Sequence, residues 1–368
     1  MTNKKLLFVF IPFVAFAILT LILDSYLIGL GAFVLLSIIL LVFKKLDYIG
    51  VIGCVFLLLT FFVANTFYYQ PSTKIVASYG PILTQNWVDA LTWLKNNTDE
   101  CVTVATYWDP GHFITAISRR AVVFDGASQG DLRTITVNGT LSEDDVKKIA
   151  VIDKYKYEYV TENGMDVTKV STARIQDIAT TLFTDNESLA VEILKKYRKP
   201  GCKEMYYLAS SDLIGKSVWW SYFATWNQET KGNQYSYSSI SLSQQGKADD
   251  GGDVNIYRLN NQQAILLYQK NSTIRAIFQE GNRIADIKKL AVIRPPGEVF
   301  LIENQNATQP GMVWVTPNLG LIVYIPPEIE NSLFTKMFLF DGLGLQKFKY
   351  VNSWGGEVKL FKIVFDDV

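Results

Sequence analysis

The sequence predicts a membrane-anchored α+β protein: three transmembrane helices, an extracytoplasmic α/β domain of strand–helix–strand type, and a β-rich domain or insertion. Three observations predict it. Hydropathy is concentrated in roughly the first 70 residues. An apolar, β-branched run at 102–106 stops at a polar and aromatic cluster and is followed by a helical pattern and a second short apolar run. From Ser236 onward, short β-rich runs alternate with Gly, Asn, Asp and Pro. The expected division is 1–69 for the spans, 70–235 for the α/β domain, 236–330 for the β-rich part, and 331–368 for a tail returning to the α/β core.

The apolar stretches 6–23, 26–43 and 48–67 carry no internal charge, and each approaches the roughly 20 residues that cross a bilayer. Lys4-Lys5 and Lys44-Lys45 fall on one side, which the positive-inside rule makes cytoplasmic. The chain beyond Tyr68 and Tyr69, an expected interfacial aromatic pair, is then outside the cytoplasm. Lys and Arg total 35 and so do Asp and Glu, so no basic footprint for nucleic acid exists. Cys54 lies in the third stretch; Cys101 and Cys202 each precede an expected strand, and a disulfide between them is geometrically conceivable in an oxidising compartment. With a single His and no zinc-type spacing, a protein-built transition-metal site is not indicated.

The stretch 84–96 has Trp87, Leu91 and Leu94 at helical spacing, with Thr84 or Asn86 as cap. The strand 102–106 then ends at Tyr107-Trp108-Asp109-Pro110-Gly111-His112, a helix is expected over 112–120, and a short strand over 121–124 ends on Asp125-Gly126. In open α/β sheets ligands bind beyond the carboxyl ends of the strands, so this crest is a candidate recognition site. The same residues also suit an ordinary turn with a packed aromatic. Further helices are expected from Ser142, over 171–183 and over 185–197. A strand at 203–209 leads to a second crest, Ser210-Ser211-Asp212, and a helix with Trp219, Trp220 and Phe223. Strands are expected around Ile240 and at 254–257, 264–268, 299–302 and 321–325, with 244–253 as a linker or hairpin tip. Asp249, Asp250 and Asp253 there fit no EF-hand spacing and read as an acidic turn. In the tail, a helix at 332–340 and two strands within 348–364 are expected.

The motif Tyr107 to His112, followed by Ser118-Arg119-Arg120 and Phe124-Asp125-Gly126, resembles the W-W-D-Y-G motif and its downstream segment in the catalytic subunit of oligosaccharyltransferase, the N-glycosylation family of archaea, bacteria and eukaryotes. Tyr107 stands for the first Trp, Pro110 for the Tyr and His112 for the usual aromatic, while Trp108, Asp109 and Gly111 keep the pattern. The resemblance implies transfer of a lipid-linked oligosaccharide to Asn of Asn-X-Ser/Thr, with Trp108 donating its indole N–H and Asp109 accepting the Ser/Thr hydroxyl. A second motif of that family, an Asp and a Lys with an apolar residue beyond, is matched loosely by Asp212 and Lys216, with Ile214 or Trp220 in the apolar role. An N-cap Asp with an i,i+4 ion pair, worth about a few tenths of a kcal/mol, reads the same pair structurally. The candidate acceptor-binding residues are thus Tyr107, Trp108, Asp109, Gly111, Asp212 and Lys216.

The resemblance also implies a divalent metal, Mg or Mn, whose carboxylate ligands the family keeps in earlier segments; only Asp24 and Asp47 precede Tyr69 here. No catalytic residue is therefore assigned within this chain, and the metal and glycan-donor half is expected from a separate chain or a missing N-terminal membrane part. The expected partners are an acceptor sequon, a lipid-linked oligosaccharide and the membrane. The other reading is a non-catalytic, membrane-anchored glycan-binding or surface-layer accessory protein. Sequons at Asn96, Asn138, Asn186, Asn271 and Asn306 all fall in the part expected outside.

Overall fold

The structure is a computed structural model that describes residues 65–79, 83–227, 229–294 and 298–366, with scattered positions before 65. It divides into two compact units, Met1–Ile82 and Leu83–Val368. In the first unit, the turn Asn65–Tyr69 runs into the helix Gln70–Tyr79. The expected membrane-anchored fold with three spans is overturned: among the described residues, no helix is long and apolar enough to cross a membrane. The ten-residue helix Gln70–Tyr79 is about 15 Å long, half of a hydrocarbon core of about 30 Å. Most residues of the expected spans 6–23, 26–43 and 48–67 lie outside the described residues.

The second unit is α+β and rich in strands. Its central sheet has five strands: β1 (Thr103–Ala105), β2 (Ala121–Val122) and β6 (Met205–Ser210) run parallel, with β1 in the middle of the three. The tail adds β17 (Val358–Ile363) antiparallel to β6, and β16 (Phe348–Trp354) antiparallel to β17. Strand β6 is buried at every position. Met205, Tyr207 and Ala209 enter one apolar cluster with Ile178, Leu194 and Trp220; Tyr206 and Leu208 enter another with Leu91, Leu94 and Val104. Such burial on both faces requires continuous apolar residues, as the strand shows.

Helix α1 (Gln85–Asn97) covers the second face with Trp87, Ala90, Leu91 and Leu94, and Thr84 Oγ1 caps it by accepting from the Trp87 amide. Thr84 Oγ1 also donates to Glu357 Oε2 at 2.6 Å, and Asn86 Nδ2 donates to the same oxygen at 3.0 Å. The start of the unit is thus tied to the turn between β16 and β17. Cys101 and Cys202 form a disulfide, with Cα atoms 5.7 Å apart, because they precede the neighbouring parallel strands β1 and β6.

A three-stranded sheet, β3 (Leu132–Asn138), β4 (Tyr155–Glu162) and β5 (Met165–Ala173), with β5 central, interrupts the central sheet's crossover. It carries α3 (Glu143–Ala150), which Ser142 caps through the Asp145 amide. The expected helix over 171–183 begins only at Arg174 as α4 (Arg174–Phe183), since Ser171 and Thr172 are still paired in β5. Helix α5 (Glu187–Lys195) follows, capped by Asn186. Where these pieces meet, Asp177 is fully buried and accepts from Arg133 Nε at 2.7 Å, Tyr197 Oη at 2.6 Å and Thr172 Oγ1 at 3.0 Å.

The β-rich region forms one nine-stranded sheet in which β13 (Glu298–Glu303) branches off β12 (Arg283–Arg294). Strands β8 (Gln244–Lys247) and β9 (Asp253–Arg258) bracket the acidic turn, so 244–253 is a paired hairpin. There Asp250 accepts from the Tyr268 hydroxyl and the Gly252 amide, which hold its carboxyl down at about 2. Strands β14 (Gln309–Val315) and β15 (Leu321–Ile325) put Met312, Val323 and Ile325 into the first apolar cluster, together with Phe334 and Met337 of the tail.

Candidate functional site

Because β1 and β6 are parallel neighbours, the two polar crests emerge side by side. The first is not a loop: Trp108–Phe113 is a short helix, α2, with Tyr107 at its N-cap and Asp109 in its first turn. Pro110 is tolerated there because first-turn amides have no intrahelical acceptor. The helix widens into a π turn, Ile114–Ser118, and stops where Arg119 takes a left-handed conformation at φ 56°. The second crest gives two short helices, α6 (Asp212–Gly215) and α7 (Ser217–Thr225).

Lys216 joins the crests. Its Nζ lies 2.5 Å from Asp109 Oδ2 and 2.6 Å from Asp212 Oδ2, and Asp212 Oδ1 accepts from Ser210 Oγ at 2.5 Å. Asp109 Oδ2 is buried and, apart from the approaching ammonium, meets no donor. Burial pulls the Lys216 pKa down, but contact with Asp109 and Asp212 outweighs it, and the net shift is upward from 10.5. A raised value means that the triad's stabilisation is complete below 10.5 and is lost as pH rises past the folded-state value. Lys216→Met should therefore melt below the wild type by a constant margin from about pH 6 to about pH 10, with convergence only above. Melting curves that already meet at about pH 8 would refute this.

Beside the triad lies a cleft of about 260 Å³ lined by Tyr107, Trp108, Gln129, Ile175, Lys216, Trp219 and Phe223. Tyr107 is only 1% exposed, its ring edge-on to Trp108 and Phe124 at 6.5 and 6.1 Å. Burial, then the charge of Asp109, pushes its phenol pKa well up, so it stays a neutral hydroxyl. Trp108 is half-buried and offers its ring to the cleft. Gly111 lines nothing: a Cβ there would lie 2.7 Å from both Asp125 Cβ and the Phe124 carbonyl oxygen, so only glycine lets α2 rest on that turn. The turn is held by Asp125, whose Oδ1 accepts from the Ser128 hydroxyl and the amides of Ala127 and Ser128; the Ser128 hydroxyl is the main cause of its lowered pKa. His112 Nδ1 stands 3.7 Å from Asp125 Oδ2.

The structure thus brings Tyr107, Trp108, Asp109, Asp212 and Lys216 together and leaves Gly111 as support. Of the two apolar residues considered beyond Asp212, Trp220 is fully buried and donates to the Leu213 carbonyl, and Ile214 packs on the same core. Trp219, 55% exposed, faces the cleft instead, with Phe223 one turn on. Sequence reasoning placed Trp219 and Phe223 on an aromatic helix without singling them out; their i,i+4 spacing was the available signal. Gln129 and Ile175 carried none.

No protein-family model matches the chain. It is 22% identical over 320 residues to a dolichyl-phosphooligosaccharide-protein glycotransferase of Methanocaldococcus jannaschii, covering 77% of this chain and 34% of that protein. A second such glycotransferase, from Pyrococcus horikoshii, is 44% identical over 55 residues, 15% of this chain and 7% of that protein. Among solved structures, the C-terminal globular domain of an oligosaccharyltransferase from Pyrococcus abyssi has a TM-score of 0.41 at 15% identity, covering 75% of this chain and 50% of that one. The chain spans about a third of the length of the first of these relatives. It is a homologue of the catalytic subunit of oligosaccharyltransferase over that part.

Proposed function

We propose that this chain supplies the acceptor-binding part of an oligosaccharyltransferase, holding the Ser/Thr hydroxyl of an Asn-X-Ser/Thr sequon at the crest of β1. The observation that carries the proposal is the Lys216 bridge, which fixes Asp109 against Asp212 at the edge of the cleft that Trp108 lines. A carboxylate so held is a ready acceptor for the hydroxyl proton, and the Trp108 indole N–H is a donor for its oxygen. The ammonium keeps Asp109 oriented at no cost when the peptide arrives. The Cys101–Cys202 disulfide favours work in an oxidising, extracytoplasmic compartment.

The divalent metal implied by the resemblance does not fit these residues. Among the described residues no three His, Cys, Asp or Glu side chains stand together, and the carboxylates that converge, Asp109 and Asp212, share an ammonium. We place the metal ligands and the site for the lipid-linked oligosaccharide outside this chain, in the remaining part of the enzyme. The relation to glycotransferases over 77% of the chain does not favour the accessory-protein reading.

In the assembled enzyme, an Asn-X-Thr peptide should bind more tightly than its Asn-X-Ala counterpart by about 1–3 kcal/mol, the effect of leaving a buried polar group unpaired. Asp109→Ala should erase most of that difference, and Trp108→Phe, which keeps the ring and removes the donor, part of it. A double-mutant cycle between Asp109 and the third peptide position, read by calorimetry, should show clear coupling. Additive effects would remove Asp109 from hydroxyl recognition.

A further inference from the structure

The five sequons are not equivalent in the folded chain. Transfer to asparagine needs its amide Nδ2 free and, if the third residue is to be gripped, that residue's hydroxyl free. At Asn96 the sequon forms the last turn of α1, where Thr98 Oγ1 donates to the Leu94 carbonyl at 2.6 Å and accepts from Arg120 Nε at 2.9 Å. At Asn186 the asparagine itself is engaged: its Oδ1 accepts from the Leu189 amide at 3.2 Å as the cap of α5, and Glu187 between it and Ser188 is held by the amides of Gln346 and Lys347. Using either site means unwinding a helix end.

The other three are open. Asn138 closes β3, Gly139 turns the chain at φ 87°, and Asn138 and Thr140 are exposed. Asn271 and Ser272 are the two-residue turn between β10 (Gln263–Lys270) and β11 (Thr273–Glu280). Asn271 adopts φ 53°, which asparagine tolerates in such hairpins, and all three residues of this sequon are exposed. Asn306 lies in the turn between β13 and β14, with Thr308 exposed. Among the described residues, the side chains of Asn138, Thr140, Asn271, Thr273, Asn306 and Thr308 make no hydrogen bond.

We infer that this chain is itself a substrate of N-glycosylation, carrying an oligosaccharide on Asn138, Asn271 and Asn306 and none on Asn96 and Asn186. In each transfer a bond forms between the asparagine Nδ2 and the anomeric carbon of a lipid-phosphate-linked oligosaccharide. The bond from that carbon to the phosphate oxygen breaks, the lipid phosphate leaves with the electron pair, and Nδ2 gives up one proton. The inference rests on the extracytoplasmic placement proposed above and does not use the Trp108–Asp109 cleft.

The test is glycopeptide mass spectrometry of the intact protein isolated from its native cells, beside an exported reporter protein bearing one Asn-X-Thr. The expected result is glycan on Asn138, Asn271 and Asn306, unmodified Asn96 and Asn186, and loss of one glycan mass in each of Thr140→Ala, Thr273→Ala and Thr308→Ala. Three bare asparagines in cells that glycosylate the reporter would overturn the inference, as would equal occupancy of Asn96 or Asn186. Neither result bears on peptide discrimination by Asp109, so the two proposals fail separately.

Discussion

Reducing the Cys101–Cys202 bond should lower the unfolding free energy of the Leu83–Val368 unit by about 4–5 kcal/mol. The bond joins residues 101 positions apart, and for a loop of about 100 residues the chain-entropy relation gives about 4.7 kcal/mol of unfolded-state restriction. The link spans everything between β1 and β6, including the three-stranded sheet, α4 and α5. Urea titration with and without a thiol reductant measures it. Cys101→Ser with Cys202→Ser should reproduce the reduced midpoint and be insensitive to reductant. A wild-type midpoint unmoved by complete reduction would contradict the loop argument.

Asp177→Ala should cost about 3–5 kcal/mol, the range for breaking a buried ion pair by removing one partner. Three donors converge on that carboxylate, from Arg133 of β3, Thr172 of β5 and Tyr197 beyond α5. Removing it leaves the Arg133 guanidinium 6% exposed with the Ala150 carbonyl as its remaining partner, at 2.8 Å. Burial alone would lower the Arg133 pKa; the hydrogen bond and charge of Asp177 outweigh it and raise it. The Tyr197 phenol is shifted upward, first by burial and then by Asp177, so it remains a donor throughout the accessible pH range. Asp177→Asn, which keeps the shape and one acceptor, should cost less than Asp177→Ala. Equal losses in the two variants would mean that the charge, not the shape, matters at this position.

What the sequence disclosed follows how local each signal is. Thr84, Ser142 and Asn186 cap helices through amides a few residues on, and such contacts are written in short stretches of chain. The apolar runs of β1 and β6 were legible for the same reason. The three-stranded sheet was missed: Tyr155–Glu162 does alternate Tyr with Lys and Glu at strand period, but both its faces are largely exposed, so no aliphatic core face accompanies the alternation. Helix α2 was displaced because Asp109-Pro110-Gly111 reads as a turn, whereas proline sits without penalty in a helix's first turn. At the site, Asp109, Asp212 and Lys216 were each visible, but their convergence depends on β1 and β6 being neighbours, a pairing of residues about 100 apart that no local pattern encodes. The apolar stretches before 65 were read by hydropathy alone.

The tie between Glu357 and Thr84 has a consequence for how the chain comes into being. The hydrogen-bonding partners of α1's first turn are 273 and 271 residues away. The strand that covers β6 on its far side, Val358–Ile363, belongs to the same late segment. At synthesis rates of about 5–20 residues per second, roughly 14 to 55 s separate the emergence of Thr84 from that of Glu357. For the part of that interval between the emergence of Ser210 and that of Val358, roughly 7 to 30 s at the same rates, β6, apolar on both faces, has an open edge, the kind of surface that recruits stray strands. Until its last strands arrive, the nascent chain therefore carries an aggregation-prone edge that the finished fold covers.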